Sequence, residues 1–95
     1  MKLYIDTSDS KQIRVGLDGK KYVGEVDAKS QELLSLIDKA LNKVHKGLDD
    51  ITEIQINRGP GSFTGLRVGA AVSNALGWLL KKPVNGKTVP VEPEY

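Results

Sequence analysis

Asn57-Arg58-Gly59-Pro60-Gly61-Ser62-Phe63-Thr64-Gly65-Leu66-Arg67-Val68-Gly69 stands between two segments of different period. Before it, Ile51 to Ile56 alternates in the manner of a half-buried strand. After it, a run rich in small residues continues to Leu80 at helical spacing. A strand is therefore predicted to end near Asn57 and a helix to start near Ser62. Gly59 and Gly61 can take positive φ without steric cost, and Pro60 fixes its own φ. The product is a preset strand-to-helix turn. Ser62 and Thr64 are both N-cap candidates, because either hydroxyl can accept from a first-turn amide. Such a turn can cradle an anion. It can also simply let the helix lie close to its sheet, and local physics favours that second reading. No Gly-Lys-Ser/Thr follows, so the stretch is not a P-loop.

The helix after the turn carries Gly65, Gly69, Ser73 and Gly77 at four-residue spacing, a slowly drifting ridge along one side. Apolar residues cover most of the remainder, leaving a narrow strip with Arg67, Asn74 and Lys81. A helix apolar nearly all round is buried on more than one side. Interior glycines cost roughly 1 kcal/mol each against Ala, which a close backbone approach offsets. The ridge packs on the chain's own sheet or first helix, or on a helix from another subunit. The two readings are not exclusive. Trp78 falls near the polar strip, as a core edge or an interface anchor.

Working outward, Leu3 to Ile5 reads as a short strand, and Lys11 to Leu17 as a second with alternating Ile13, Val15 and Leu17. Asp18-Gly19 signals a two-residue hairpin turn, and Lys20 to Val26 returns as a third strand. A helix follows, capped by Asp27 or Ser30, with Leu33, Leu34, Leu36, Ile37, Ala40, Leu41 and Val44 as its apolar stripe. His45 and Lys46 complement the helix dipole, and Gly47 is the expected stop. Pro83 breaks the second helix, and a last extended segment runs from Val84 through Val89 and Val91. The order βββαβα plus a final short strand predicts an α/β fold, a ribonuclease-H-like half-domain occupying residues 1–95.

Ninety-five residues hold one modest core. The absence of cysteine excludes disulfides, thiolate metal sites and a Cys nucleophile. No apolar run is long enough to cross a membrane and the N-terminus reads as a strand, so a cytoplasmic protein is expected. A net charge of +2 is too small to argue for nucleic acid, and the basic residues are scattered without an aromatic platform.

The stretch Arg58 to Gly69 resembles the signature of the TsaB (YeaZ) family, which takes part in threonylcarbamoyladenosine modification of tRNA. Ser62-Phe63-Thr64 and Arg67 separate it from the catalytic relative TsaD, which differs after the shared Gly-Pro-Gly. Leu3-Tyr4-Ile5-Asp6-Thr7-Ser8 is similar to the family's first strand, and Ser30-Gln31-Glu32-Leu33-Leu34 with Ile37-Asp38 to its first helix. The resemblance implies the actin/Hsp70/sugar-kinase superfold, in a short form lacking the family's second domain. The tail from Val89 to Tyr95 is similar to the ending of the full-length family. The resemblance further implies a non-catalytic subunit that pairs through its helices with a TsaD-like protein, forms a homodimer when alone, and meets tRNA only through the complex. No cofactor and no metal site are expected. The expected contact surface is Gly65, Gly69, Ser73 and Gly77 with Leu34, Leu41 and Val72.

Other chemistry is weaker. Asp6, Thr7 and Ser8 follow the first strand, where ATP-dependent members of the superfold place a phosphate-facing acid. A turn stabilised by its own side chains is the preferred reading there, with Ser10 as a further donor. A small nucleotide- or phosphate-binding enzyme fragment and a self-associating structural module are the alternatives. His45 has no metal-ligating partner in the sequence. Arg58 and Arg67 bracket the signature turn, as a clamp on a carboxylate or phosphate, or as local salt bridges.

Overall fold

Leu3 and Ile5 define the inner face of β1 (Lys2–Asp6), while Lys2, Tyr4 and Asp6 alternate to the other side. β2 (Ile13–Leu17) buries Ile13, Val15 and Leu17 against the same core. The chain then turns through Asp18 and Gly19, both at positive φ (47° and 92°), into β3 (Lys20–Gly24). That turn has the twist a two-residue hairpin needs. α1 (Ser30–Lys43), a 3₁₀ turn at Leu48–Asp50, β4 (Glu53–Ile56) and α2 (Phe63–Leu80) follow. The sheet runs β3-β2-β1-β4, with β4 parallel to β1 and the other pairs antiparallel. α1 supplies the crossover that the parallel pair requires. The computed structural model describes residues 1–9, 11–24, 30–88 and 90–94. The expected cap Asp27, the strand residues Glu25 and Val26, and Ser10, Val89 and Tyr95 lie outside these, as does the side chain of Ser30.

Register places Leu3 beside Leu17 and Ile54, and Ile5 beside Val15 and Ile56, so one sheet face is continuously apolar. Leu33, Ile37, Ala40 and Leu41 from α1 and Ala70, Val72 and Leu76 from α2 cover it. The opposite face carries Tyr4, Arg14 and Gln55.

The end of α1 departs from the expected stop, while α2 ends at the expected Lys81-Lys82. α1 ends before Gly47: His45 takes the left-handed conformation (φ 57°), and the Lys46 amide donates to the Leu41 carbonyl at 3.0 Å. α2 ends the same way, with Lys81 at φ 57° and the Lys82 amide on the Gly77 carbonyl at 2.9 Å. Both are the paired-bond helix termination that usually recruits glycine.

Among the described residues the expected final strand is reduced to two isolated bridges, both made by Val84. Val84 lies parallel to Ile54 and antiparallel to Lys87 across the Asn85-Gly86 turn. One step further along β4, the Asn85 carboxamide replaces a neighbouring backbone. Its oxygen accepts from the Ile56 amide at 2.8 Å and its nitrogen donates to the Ile56 carbonyl at 3.3 Å. Beyond, Asn74 holds the carbonyl and amide of buried Val91 at 2.8 and 3.0 Å, pinning the tail to α2.

Asn85→Ala removes both partners of Ile56 and the residue best suited to φ 51°. The expected loss is about 1–2 kcal/mol, a fall in melting temperature of roughly 4–15 °C for a domain of this size. Thermal unfolding followed by circular dichroism checks it; an unchanged midpoint shows that water replaces the carboxamide.

Candidate functional site

The signature turn is built around the end of β1. The Thr7 hydroxyl, fully buried, donates to the Gly65 carbonyl at 2.6 Å. A Cβ at Gly65 would fall on the Thr7 carbonyl, and one at Gly69 on the Thr7 hydroxyl. A Cβ at Gly61 would lie 2.5 Å from the Ser8 carbonyl. Gly61 does not take positive φ; it is needed for this close approach. Gly59 does, at φ 119°, with Glu94 packed where its side chain would be. Ser62 caps α2 by accepting from the Gly65 amide at 3.1 Å, and its own amide donates to the Ser8 carbonyl at 2.7 Å. Thr64 lies inside the helix, exposed, and is not the cap.

Asp6 and Ser8 are engaged with one another. One Asp6 oxygen accepts from the Ser8 amide (3.0 Å), the Ser8 hydroxyl (2.6 Å) and the Asn57 carboxamide (3.3 Å). The other faces Arg14 at 4.0 Å. Asn57 in turn accepts from the Gly59 amide at 3.0 Å. The hydroxyl protons of Thr7 and Ser8 are therefore committed within the fold, and the nearest charge is a carboxylate. This is a clasp joining two strand ends to the turn. Burial, then the Asp6 carboxylate, pushes the neighbouring Tyr4 phenol above its ordinary range, against an opposing pull from Arg14. Arg58 binds the tail, donating to the Glu92 carbonyl at 2.7 Å and pairing with Glu94 at 3.3 Å. Arg67 instead stacks over the Phe63 ring on the exposed side of α2, 5.5 Å from its centroid.

The glycine ridge faces inward. Gly65 and Gly69 meet Thr7, Ser73 is fully buried, and a Cβ at Gly77 would lie 2.6 Å from a Val84 methyl. Leu41 and Val72 are core residues as well. Of the residues expected at a partner contact, Leu34 alone is open, at 47% exposure. The ridge is small because β1 and the Val84 segment occupy the space beside it. What α2 turns outward is a different strip: Thr64, Arg67, Ala71, Ala75, Trp78 and Leu79.

That strip has two flanks. Asn74 reaches the tail, so its side of α2 looks that way. By helical spacing, half-buried Val68 and exposed Ala75 lie towards the other side. On α1, Lys43 rests 5.6 Å over the Tyr22 ring of β3, so Leu34, roughly opposite by the same spacing, lies towards α2. Leu34, Val68, Ala71 and Ala75 thus border the seam between the helices.

At the far end of α2, Trp78 stands 81% exposed over a groove of about 480 Å³ lined by Lys81, Lys82, Pro83 and Thr88. A smaller hollow beside it adds Asn74, Lys87 and Pro90. Scattered in sequence, these lysines are gathered by the helix end and the Asn85-Gly86 turn. The spacing Trp78-x-x-Lys81-Lys82 was a readable signal; the arrival of Lys87 was not.

A protein-family model described as TsaD, tRNA N6-adenosine threonylcarbamoyltransferase, matches residues 26–87. The tRNA threonylcarbamoyladenosine biosynthesis protein TsaB of Haemophilus influenzae is 34% identical over 67 residues, 68% of this chain and 28% of that protein. Its Bacillus subtilis namesake is 30% identical over 56 residues, 59% of this chain and 24% of that protein. The solved structure of YeaZ from Pseudomonas aeruginosa superposes with a TM-score of 0.75 at 28% identity, over 87% of this chain and 42% of the other. The chain thus spans well under half the length of these relatives.

Gly69→Ala should destabilise the fold, although it improves helix propensity by about 1 kcal/mol. Overpacking against Thr7 costs roughly 1–3 kcal/mol and outweighs that gain. Adding Thr7→Ala removes the obstructing hydroxyl, so the double variant should exceed the sum of the singles by at least about 0.5 kcal/mol. Denaturant unfolding of the four proteins measures this; strict additivity would show that the two residues do not touch.

Proposed function

This chain belongs to the TsaB (YeaZ) family, and from that premise we propose that it is a non-catalytic subunit pairing with a TsaD-like enzyme in threonylcarbamoyladenosine modification of tRNA. The observation that carries this reading is the set of outward residues bordering the α1–α2 seam, Leu34, Val68, Ala71 and Ala75. Ala71 and Ala75 are small and exposed, beside exposed Leu34 and half-buried Val68. An exposed apolar strip of this kind marks an interface, and small residues at its centre let a partner helix approach closely. The same surface pairs two copies when no enzyme is present. Ser62-Phe63-Thr64 and Arg67, after the Gly-Pro-Gly shared with TsaD, support the TsaB assignment. The parallel β1–β4 pair under two helices fits the first half of a ribonuclease-H-like unit of the actin/Hsp70/sugar-kinase kind. A cytoplasmic place follows from the tRNA role.

A phosphate site at Asp6, Thr7 and Ser8 draws no support from their geometry, since their donors serve the clasp. Calorimetry with ATP should accordingly find nothing tighter than about 1 μM, about −8 kcal/mol; a tighter constant would restore the nucleotide reading.

Ala75→Glu places a charge on this exposed surface without touching the core. It should abolish co-purification with the TsaD-like protein of the same organism and leave the melting temperature within a few degrees, since surface changes usually stay within about 0.5 kcal/mol. Sedimentation of the chain alone at tens of micromolar, on the order of the weaker interface affinities, should show dimer for the parent and monomer for the variant. A variant that still co-purifies with the enzyme removes the seam from consideration.

A further inference from the structure

We propose that the groove at the end of α2 is a binding site for a single-stranded stretch of RNA, with Trp78 stacking on a base and Lys81, Lys82 and Lys87 holding the phosphates. It rests on family membership alone and not on pairing with an enzyme.

Trp78 is the sole tryptophan of the chain and, among the described residues, the most exposed large apolar side chain. An indole in water is unfavourable unless something covers it, and it offers a flat π-face to any base. Lys81 and Lys82 line the groove beneath it, and Lys82 and Lys87 line the adjoining hollow. Among the described residues no carboxylate lines either cavity. Among the described residues none of the three lysines is ion-paired. Cations at a helix C-terminus also complement its dipole, which accounts for Lys81 and Lys82. It does not account for Lys87, which lies beyond α2 and is delivered to the same place by the Asn85-Gly86 turn.

A protein partner fits this composition poorly, because lysine is depleted at the centre of protein interfaces while tryptophan is enriched. Both residue types together suit a strand of nucleotides: an aromatic platform beside a positive track. RNA is preferred over DNA because the matching family descriptions name tRNA. The hydroxyl of Thr88 and the carboxamide of Asn74 border the same trough. The two cavities share Gly77, Trp78, Lys82 and Thr88, so they adjoin beside the indole.

The full chain, titrated with heptauridylate RNA, tests this through the emission of its single tryptophan. Saturable quenching is expected. Three phosphate contacts predict that log affinity falls with log salt at a slope of about −2 between about 50 and 200 mM KCl. The triple variant Lys81→Gln, Lys82→Gln, Lys87→Gln should lose about tenfold or more in affinity over that range, with an unchanged circular dichroism spectrum. Trp78→Ala, followed by anisotropy of labelled RNA, should lose roughly fivefold or more. No quenching up to about 1 mM RNA, or equal affinity for the triple variant, overturns the proposal. So does an emission change that follows protein concentration without RNA, which would assign the groove to a second copy. Enzyme pairing is not read in this assay, so failure here leaves that reading standing, and an Ala75→Glu chain that fails to pair can still bind RNA.

Discussion

The close approach of α2 to the end of β1 is the constraint on which the other elements depend. It is made by one hydroxyl, that of Thr7, seated against the Gly65 carbonyl with Gly69 one turn further along. A helix usually keeps its distance from a sheet by the thickness of a side chain layer. Here two glycines remove that layer locally, so the helix axis is drawn down at its N-terminal end. The Ser62–Ser8 backbone bond and the Asp6–Ser8–Asn57 clasp then have the short distances they need. Loss of the approach would separate the parallel strand ends from the turn and expose polar groups that now satisfy each other.

Much of this was legible in the chain itself. The alternation of Ile13, Val15 and Leu17, the Asp18-Gly19 turn and the cap at Ser62 are local patterns, and local patterns survive folding. The direction of the glycine ridge was not legible. Periodicity identifies a face of a helix but not what fills the space in front of it. Only the arrival of Thr7, from far along the chain, and of Val84, folded back from just past the helix, decides that the ridge faces inward. The end of α1 misled for a related reason. Glycine is the cheapest left-handed residue, so Gly47 was the expected stop, yet the polar, exposed ends accept His45 and Lys81 in that conformation. The site behaved alike: Asp6, Thr7 and Ser8 were identifiable as a polar cluster, but whether they faced a ligand or each other depended on Asn57 and Gly65.

The two helices consequently have divided tasks. Their inner faces close the core, and the small residues that look most distinctive in α2 serve that closure. Their outer surfaces are less distinctive as sequence: that of α2 sets alanines among single charged or aromatic residues, and that of α1 is polar apart from Leu34. The residues proposed to meet a partner lie there and carry little pattern, so only their exposure distinguishes them.

The carboxamide of Asn85 has a consequence beyond holding Ile56. β4 is the outermost strand on its side of the sheet. A strand in that position normally presents a ladder of unused amides and carbonyls, an open template for a segment from another molecule. Pro83 and Asn85 occupy that ladder at Ile54, and the Asn85 side chain completes it at Ile56. A side chain cannot be followed by a further paired strand, so it terminates growth where a backbone would propagate it. The opposite border, β3, has Lys20 and Lys21, charges that oppose stacking of like strands. The protein thus resists edge-to-edge aggregation by two unrelated devices, one a hydrogen-bonding plug and the other electrostatic repulsion.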